Sequence, residues 1–148
     1  MYKRILVPVD GSSTSDIALR EAIKFVIDQK AELRIIHVIE DVVPVWDVEL
    51  LNINEIREDL RQAGGNMLAK AEAVARDAGI KAEIKLIEST PPGARIASVI
   101  ATEAKAWPAD MIVIGTHGRR GVDHLLMGSV AEGVVRISPA PVMLIRGR

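Results

Sequence analysis

A glycine-rich segment in the last third of the chain holds the residues best suited to chemistry. Its small residues recur at the spacing Gly-x2-Gly-x9-Gly-Ser, namely Gly115, Gly118, Gly128 and Ser129. Gly115 lets backbone come close to a ligand, and Gly118 and Gly121 permit left-handed turns. A helix opening at Gly128-Ser129 would present unpaired N–H groups and a positive dipole end to an anion. Arg119 and Arg120 would add charge-assisted contacts, so the segment predicts a polyphosphate cradle.

The same residues also have a purely structural interpretation. Ser129-Val130-Ala131-Glu132 has the pattern of a capping box, in which Ser129 would bond to its own helix. Glycines at strand–helix junctions are also common where no ligand binds. The segment is not a Walker A loop, which ends in Gly-Lys-Ser/Thr, and it is not a GxGxxG dinucleotide fingerprint. From the spacing alone, both interpretations remain open.

Composition excludes several classes of protein. The 148 residues match one domain, residues 1–148, and 49% hydrophobic content is enough for a substantial core. A net charge of −1 argues against nucleic-acid binding through bulk positive charge, and 3% aromatic residues is too few for base stacking. The absence of cysteine excludes disulfides and thiolate metal sites. With neither an apolar run of spanning length nor a signal-peptide core, we expect a cytoplasmic protein that binds no membrane.

Strand-like and helix-like periodicities alternate along the chain. The pattern predicts strands over residues 3–10, 32–39, 81–88, 110–115 and 142–145. It predicts helices over residues 14–29, from 55 to 78, over 94–105 and from about 129. Alternation of this kind is typical of an α/β fold, a parallel sheet covered by helices on both faces.

Local signals refine the ends of the helices. Ser13, followed three residues later by Asp16, favours a helix start at Ser13. Gly79 is placed to end the long second helix. Gly64-Gly65 lies within that helix and costs about 2 kcal/mol relative to alanine, which predicts a weak point or kink.

Strand composition also orders the sheet. Continuous apolar runs place the first and fourth strands at the centre, and the alternating third strand suits an edge. The last strand, Val142–Ile145, is apolar and is expected at the other edge, where it would be prone to aggregation unless covered. Pairing with the same strand of a second copy would give a two-fold homodimer. Shielding by the C-terminal tail or a helix is the alternative.

Four further polar residues have side chains that could contact a ligand or a metal. Asp10 follows the first strand, where an acid either contacts a ligand or braces a turn. His37 lies within an apolar strand and is interpreted as a hydrogen-bonded core group. His117 and His124 lack partners at metal-ligand spacing, so we interpret them as solvated or hydrogen-bonded loop residues.

Five blocks of the sequence resemble the universal stress protein family. The glycine motif resembles the family's ATP-binding motif. The others are the opening strand with Asp10-Gly11-Ser12, the pair His37-Val38, and the two apolar strands at residues 109–115 and 140–145. The resemblance covers the whole chain.

This resemblance implies a three-layer, Rossmann-like fold, similar to the adenine nucleotide alpha hydrolases, with a five-stranded parallel sheet in the order 3-2-1-4-5. It also implies a homodimer through Val142–Ile145 and binding of ATP or another adenine nucleotide, with Mg²⁺. Asp10 would contact the ribose or adenine region, and the Val38 backbone would read the adenine edge. The binding residues that it implies are Pro8, Val9, Asp10, Val38, Gly115, Thr116, His117, Gly118, Arg119, Arg120, Gly121, Gly128, Ser129 and Val130. Trp46 and residues 42–45 would fold over the adenine or pack on the long helix.

No catalytic residue is identified. Asp10 and Ser129 would supply metal contacts, but no base is positioned by the pattern for phosphoryl transfer. The leading hypothesis is therefore a nucleotide-binding regulatory or stress-response module with at most slow ATP hydrolysis. The alternatives are an ATP-cleaving enzyme of the alpha hydrolase group and a nucleotide-free dimeric scaffold.

Overall fold

Strands and helices alternate along the chain in a computed structural model that describes residues 1–40, 53–89, 95–117 and 127–147. In chain order the elements are β1 Arg4–Pro8, α1 Ser13–Gln29, β2 Glu32–Ile39, α2 Ile53–Asp77, β3 Glu83–Glu88, α3 Ile96–Ala106, β4 Met111–Gly115, α4 Ser129–Ile137 and β5 Val142–Ile145. The second and last strands have the bounds that the sequence predicts. The other elements differ from the prediction by a few residues at their ends.

All paired strands are parallel and form one sheet in the order β3-β2-β1-β4-β5. The predicted fold class and strand order are confirmed. Chain progression reverses between β1 and β4, which makes their carboxyl ends a topological switch point, where open α/β sheets bind ligands.

Side-chain alternation along the central strands builds a core on each face of the sheet. Ile5 and Val7 of β1 pack toward α1 and α2, in a cluster that includes Leu19 and Leu68. Leu6, between them in sequence, belongs to the opposite cluster, with residues of α3 and α4. The sheet is therefore covered on both faces, as the apolar strand sequences require.

Helix α2 runs continuously from Ile53 to Asp77 across Gly64-Gly65, and the weak point or kink expected there stays a prediction. Tertiary packing gives Gly64 a role that the sequence did not show, because a Cβ at this position would lie 2.7 Å from Leu86 Cδ1 and 2.9 Å from His37 Cδ2. Glycine at this position lets the helix backbone approach β2 and β3. The predicted stop is confirmed, since Gly79 has a φ of 83° and follows the end of the helix.

The first helix is capped by Ser12 rather than by Ser13. The Ser12 hydroxyl accepts a hydrogen bond from the backbone N–H of Ser15 at 3.1 Å, and Ser13 is the first helical residue. The pattern of Ser13 and Asp16 therefore locates the start of the helix at Ser13, while the capping side chain is that of the preceding serine. Among the described residues, no helix is long and apolar enough to span a membrane.

Candidate functional site

A gap opens at the switch point of the sheet. Pairing between β1 and β4 covers only Ile5–Met111 and Leu6–Ile112, although both strands continue toward their carboxyl ends. Pro8 ends β1 and Gly115 ends β4. The predicted binding residues on these two strands are thus brought to the same edge of the sheet.

Asp10 braces the turn that follows β1. Its Oδ1 accepts a hydrogen bond from the Ser12 N–H at 2.9 Å, and its own N–H donates to Ser15 Oγ at 3.2 Å. Gly11, enclosed by this turn, has a φ of 81°, which favours glycine. The structural interpretation of Asp10 is therefore confirmed, and its contact with a ligand stays a prediction.

Val38 presents its backbone toward the end of β1. In β2, Glu32 donates to the Lys3 carbonyl and Ile36 accepts from the Val9 N–H, so even-numbered residues direct their N–H and C=O groups toward β1. Val38 shares this orientation, but the pairing of β1 with β2 ends at Pro8–Ile36. Its backbone groups therefore point past the paired part of β1, and its contact with an adenine edge stays a prediction.

Gly115 has a packing role that the sequence did not reveal. A Cβ at this position would lie 2.7 Å from Thr14 Cγ2 and 3.3 Å from the Thr14 carbonyl. The first turn of α1 therefore occupies the space beside Gly115. Its predicted close approach to a ligand stays a prediction.

The two ends of the glycine-rich segment are joined by a hydrogen bond. The Gly128 N–H donates to the Thr116 carbonyl at 2.6 Å, while the Thr116 N–H donates to the Ile145 carbonyl at 2.9 Å. Thr116 is buried, and its hydroxyl lies 2.9 Å from His117 Nδ1. Within the described part of the chain, His117 Nε2 is enclosed and has no hydrogen-bond partner. The segment thus begins and ends directly at the carboxyl end of β4.

The N-terminus of α4 is not closed by a side chain of the described residues. Gly128 is the N-cap, and Ser129 is already the first helical residue and exposed. The capping-box interpretation of Ser129 is therefore wrong. The first N–H groups of the helix, including those of Ser129 and Val130, have no partner within the helix and can bind an anion.

Several predicted residues lie outside the described ranges. They are Gly118, Arg119, Arg120, Gly121, His124, Trp46 and the 42–45 run. The predictions made for them stay predictions. Among the residues that the structure describes, no group of three or more His, Cys, Asp or Glu side chains is arranged to hold a metal ion.

A groove of about 510 Å³ lies between α1 and α2, beside the end of β1. It shares Val9 with the predicted site and is otherwise lined by residues such as Arg20, Met67 and Lys70. Val38, Gly115 and Ser129 do not line it. We therefore assign the candidate site to the switch point, at the carboxyl ends of β1 and β4, where the Gly128–Thr116 hydrogen bond holds the N-terminus of α4.

Sequence reasoning missed the role of Thr14, which fills the space beside Gly115, and nothing in its local sequence indicates this. The interpretation of His37 as a hydrogen-bonded group is confirmed, since its Nδ1 lies 2.7 Å from the Val9 carbonyl oxygen and its side chain is partly buried. Which backbone group it contacts could not be predicted, because that contact joins two strands.

Comparison with known proteins gives a consistent result. The sequence model of the universal stress protein family matches residues 1–146. The chain is 34% identical over 147 residues to universal stress protein MJ0531 of Methanocaldococcus jannaschii, covering 99% of this chain and 83% of that protein.

Two solved structures extend the comparison. The structure of protein MJ0577 has a TM-score of 0.84 at 28% identity, covering 100% of this chain and 98% of the other. A universal stress protein from Archaeoglobus fulgidus in complex with dAMP has a TM-score of 0.69 at 25% identity, covering 97% and 98%. Because the family's sequence model matches residues 1–146, nearly the whole of this chain, the chain belongs to the universal stress protein family.

Proposed function

We propose that this protein is an adenine-nucleotide-binding regulatory module whose preferred ligand is ATP. The observation that carries the proposal is the uncapped N-terminus of α4, held at the end of β4 by the Gly128–Thr116 hydrogen bond. Such a terminus binds phosphate through backbone N–H groups and the helix dipole. The dAMP complex of the related Archaeoglobus fulgidus protein supports an adenine nucleotide as the ligand.

The nucleotide would lie across the switch point. The Val38 backbone would receive the adenine edge, and Pro8, Val9 and Asp10 would line the ribose and adenine region. The phosphates would lie on Gly128, Ser129 and Val130, with further contacts from the segment that runs from Gly115 to Gly121. Arg119 and Arg120 would neutralise part of the phosphate charge.

A regulatory role fits this set of groups better than rapid catalysis. Mg²⁺ is commonly bound through phosphate oxygens with only one or two carboxylates, which suits a site without a carboxylate cluster in its described part. Asp10 and Ser129 are the candidate metal contacts. The Asp10 carboxylate is engaged by the Ser12 N–H, and no other acid of the described site is placed as a base. Hydrolysis is therefore expected to be slow at most.

Calorimetric titration with Mg²⁺-ATP tests binding, and phosphate release tests turnover. Ser129→Glu places a negative charge where the phosphates would lie and is expected to weaken ATP binding at least about tenfold. Gln62→Glu adds the same charge on the exposed face of α2 and is the matched control. Absence of ATP binding at millimolar concentration, or equal affinity for both variants, would contradict the proposal.

The free edge of β5 supports a homodimer. Pro141 and Ile145 direct their carbonyls toward β4, so Val142 and Leu144 direct their backbone groups outward. Leu144 is also partly exposed, at 38%. A two-fold axis would pair this edge with its copy in a second chain.

Substitution at Leu144 tests the dimer. Leu144→Pro removes an outward N–H without touching the β4–β5 hydrogen bonds, whereas Leu144→Ala keeps that N–H. Light scattering should give a dimer for the wild type and the alanine variant, and a monomer for the proline variant. A monomeric wild type, or a dimeric proline variant, would count against pairing through β5.

A further inference from the structure

His37 forms a contact at the point where the pairing of β1 with β2 ends. Its Nδ1 lies 2.7 Å from the Val9 carbonyl oxygen. Because a carbonyl oxygen only accepts hydrogen bonds, Nδ1 carries the proton and donates it. A side chain of β2 therefore holds the backbone at the end of β1.

The Val9 carbonyl is the group that would continue the parallel ladder. The Val9 N–H donates to the Ile36 carbonyl at 2.8 Å, and the next hydrogen bond in sequence would run from the Val38 N–H to the Val9 carbonyl. Among the described residues that hydrogen bond is absent, and His37 takes its place. The imidazole thus satisfies Val9 and leaves the Val38 backbone unpaired by β1.

We propose that His37 is a positioning residue that keeps the Val38 N–H and C=O available to read the adenine edge. This inference rests on the proposed nucleotide function and adds the source of its base selectivity. Adenine offers an acceptor at N1 and a donor at its exocyclic amine, which match one N–H and one C=O. Hypoxanthine has a donor at N1 and an acceptor at O6, so both hydrogen bonds would be mismatched.

Helix α2 keeps the imidazole in place. A Cβ at Gly64 would lie 2.9 Å from His37 Cδ2 and 3.6 Å from Nε2, so the backbone of α2 packs against the imidazole. Packing therefore supports the His37–Val9 contact in addition to the hydrogen bond. Neither His37 nor Gly64 lies among the residues proposed to touch the nucleotide.

A matched pair of variants separates the hydrogen-bond donor of the His37 side chain from the space that the side chain fills. Asn and Leu both branch at Cγ, but only Asn can place an N–H near the position of His37 Nδ1. His37→Leu should let the Val38 N–H pair with Val9, whereas His37→Asn should keep Val9 engaged by a side chain. Circular dichroism and thermal unfolding establish that both variants are folded.

The test measures the affinities of wild type and variants for ATP and inosine triphosphate by calorimetry. We expect the wild type to prefer ATP about tenfold or more, His37→Leu to lose most of that preference, and His37→Asn to retain it within about twofold. Hydrogen exchange gives a readout without nucleotide, because the Val38 amide should become more protected in His37→Leu only.

The outcomes distinguish this inference from the function on which it rests. If the wild type binds neither nucleotide, both the proposed function and the role of His37 fail. If the wild type prefers ATP and His37→Leu keeps the same preference, the nucleotide function stands and the role of His37 is overturned. Loss of preference in His37→Leu, with retention in His37→Asn, supports both.

Discussion

Thr14 and Gly115 are packed so closely that no side chain fits between them. A Cβ at position 115 would lie 2.7 Å from Thr14 Cγ2, and one at Gly147 would lie 2.5 Å from Thr14 Oγ1. The first turn of α1 is therefore enclosed between the end of β4 and the chain that follows β5. This packing fixes the loop after β1 relative to the switch point, so two parts of the candidate site depend on one buried threonine.

Gly115→Ala is expected to destabilise the protein by about 1–3 kcal/mol, because the added methyl group overlaps a buried side chain. Thr14→Ser removes the Cγ2 atom and should relieve much of this penalty in the double variant. Chemical denaturation of the four proteins of the cycle measures the coupling. Additive free energies of unfolding would show that the two residues do not interact.

Gly64 and Gly65 should respond in opposite directions to the same substitution. Gly65 has no atom within 4 Å of a built Cβ, so Gly65→Ala should stabilise the protein by about 1 kcal/mol through helix propensity. Gly64→Ala gains the same propensity but meets Leu86 and His37, and is expected to be net destabilising. Thermal unfolding of both variants checks this, and equal shifts would contradict the packing of α2 described above.

Much of the fold could be predicted because it depends on local patterns. The uninterrupted apolar run of β4 reflects burial on both faces of the sheet, whereas the alternation in β3 predicts only its edge position, since Leu86 packs into one core and Ile87 into the other. Ile84 shows the limit of this reasoning: it lies on the inner face of β3 yet is 39% exposed, because the strand is at the edge of the sheet.

The candidate site was predictable where its residues follow strand ends, and not where distant segments meet. Asp10 and Gly115 follow from the rule that ligands bind beyond the carboxyl ends of strands. The packing role of Gly64 could not be predicted, because the atoms that leave no room for a Cβ there belong to Leu86 and His37, in other elements. The hydrogen bond from His37 to Val9 is likewise a tertiary contact that no spacing in the sequence encodes.

Glu103 is expected to contribute more to stability than Glu83, although both accept from Arg34. Glu103 is 7% exposed and accepts from Arg34 at 2.9 Å and from Lys85 at 3.0 Å. Loss of the Glu103 charge removes one of the two ion pairs of the Arg34 guanidinium, which is 17% exposed and lies over the Trp107 ring. We expect Glu103→Gln to cost about 2–3 kcal/mol and Glu83→Gln less than about 1 kcal/mol. Urea denaturation measures the free energy of unfolding of both variants. A larger loss for Glu83→Gln than for Glu103→Gln would contradict the greater weight given to the buried ion pair.

Asp110 should make the stability of the protein depend on pH in the acid range. Its Oδ2 accepts hydrogen bonds from the backbone N–H groups of Lys3 at 2.8 Å and Arg4 at 2.9 Å, and these lower the pKa of the carboxyl group. The unfolded chain has the higher pKa, about 3.9, so it takes up a proton first as the pH falls. The stabilisation from Asp110 is therefore complete above that value and is lost as the pH falls through the lower pKa of the folded protein.

Asp110→Asn should remove this part of the acid sensitivity. The variant is expected to be less stable than the wild type at pH 7, and the difference between the two should shrink as the pH is lowered toward 3. Asp59→Asn removes one negative charge from the exposed face of α2 and is the matched control, which should leave the shape of the wild-type curve nearly unchanged. The measurement is the free energy of unfolding of the wild type and both variants from pH 7 to pH 3. A constant difference between wild type and Asp110→Asn over that range would show that the carboxylate does not stabilise the junction of β1 and β4 through its charge.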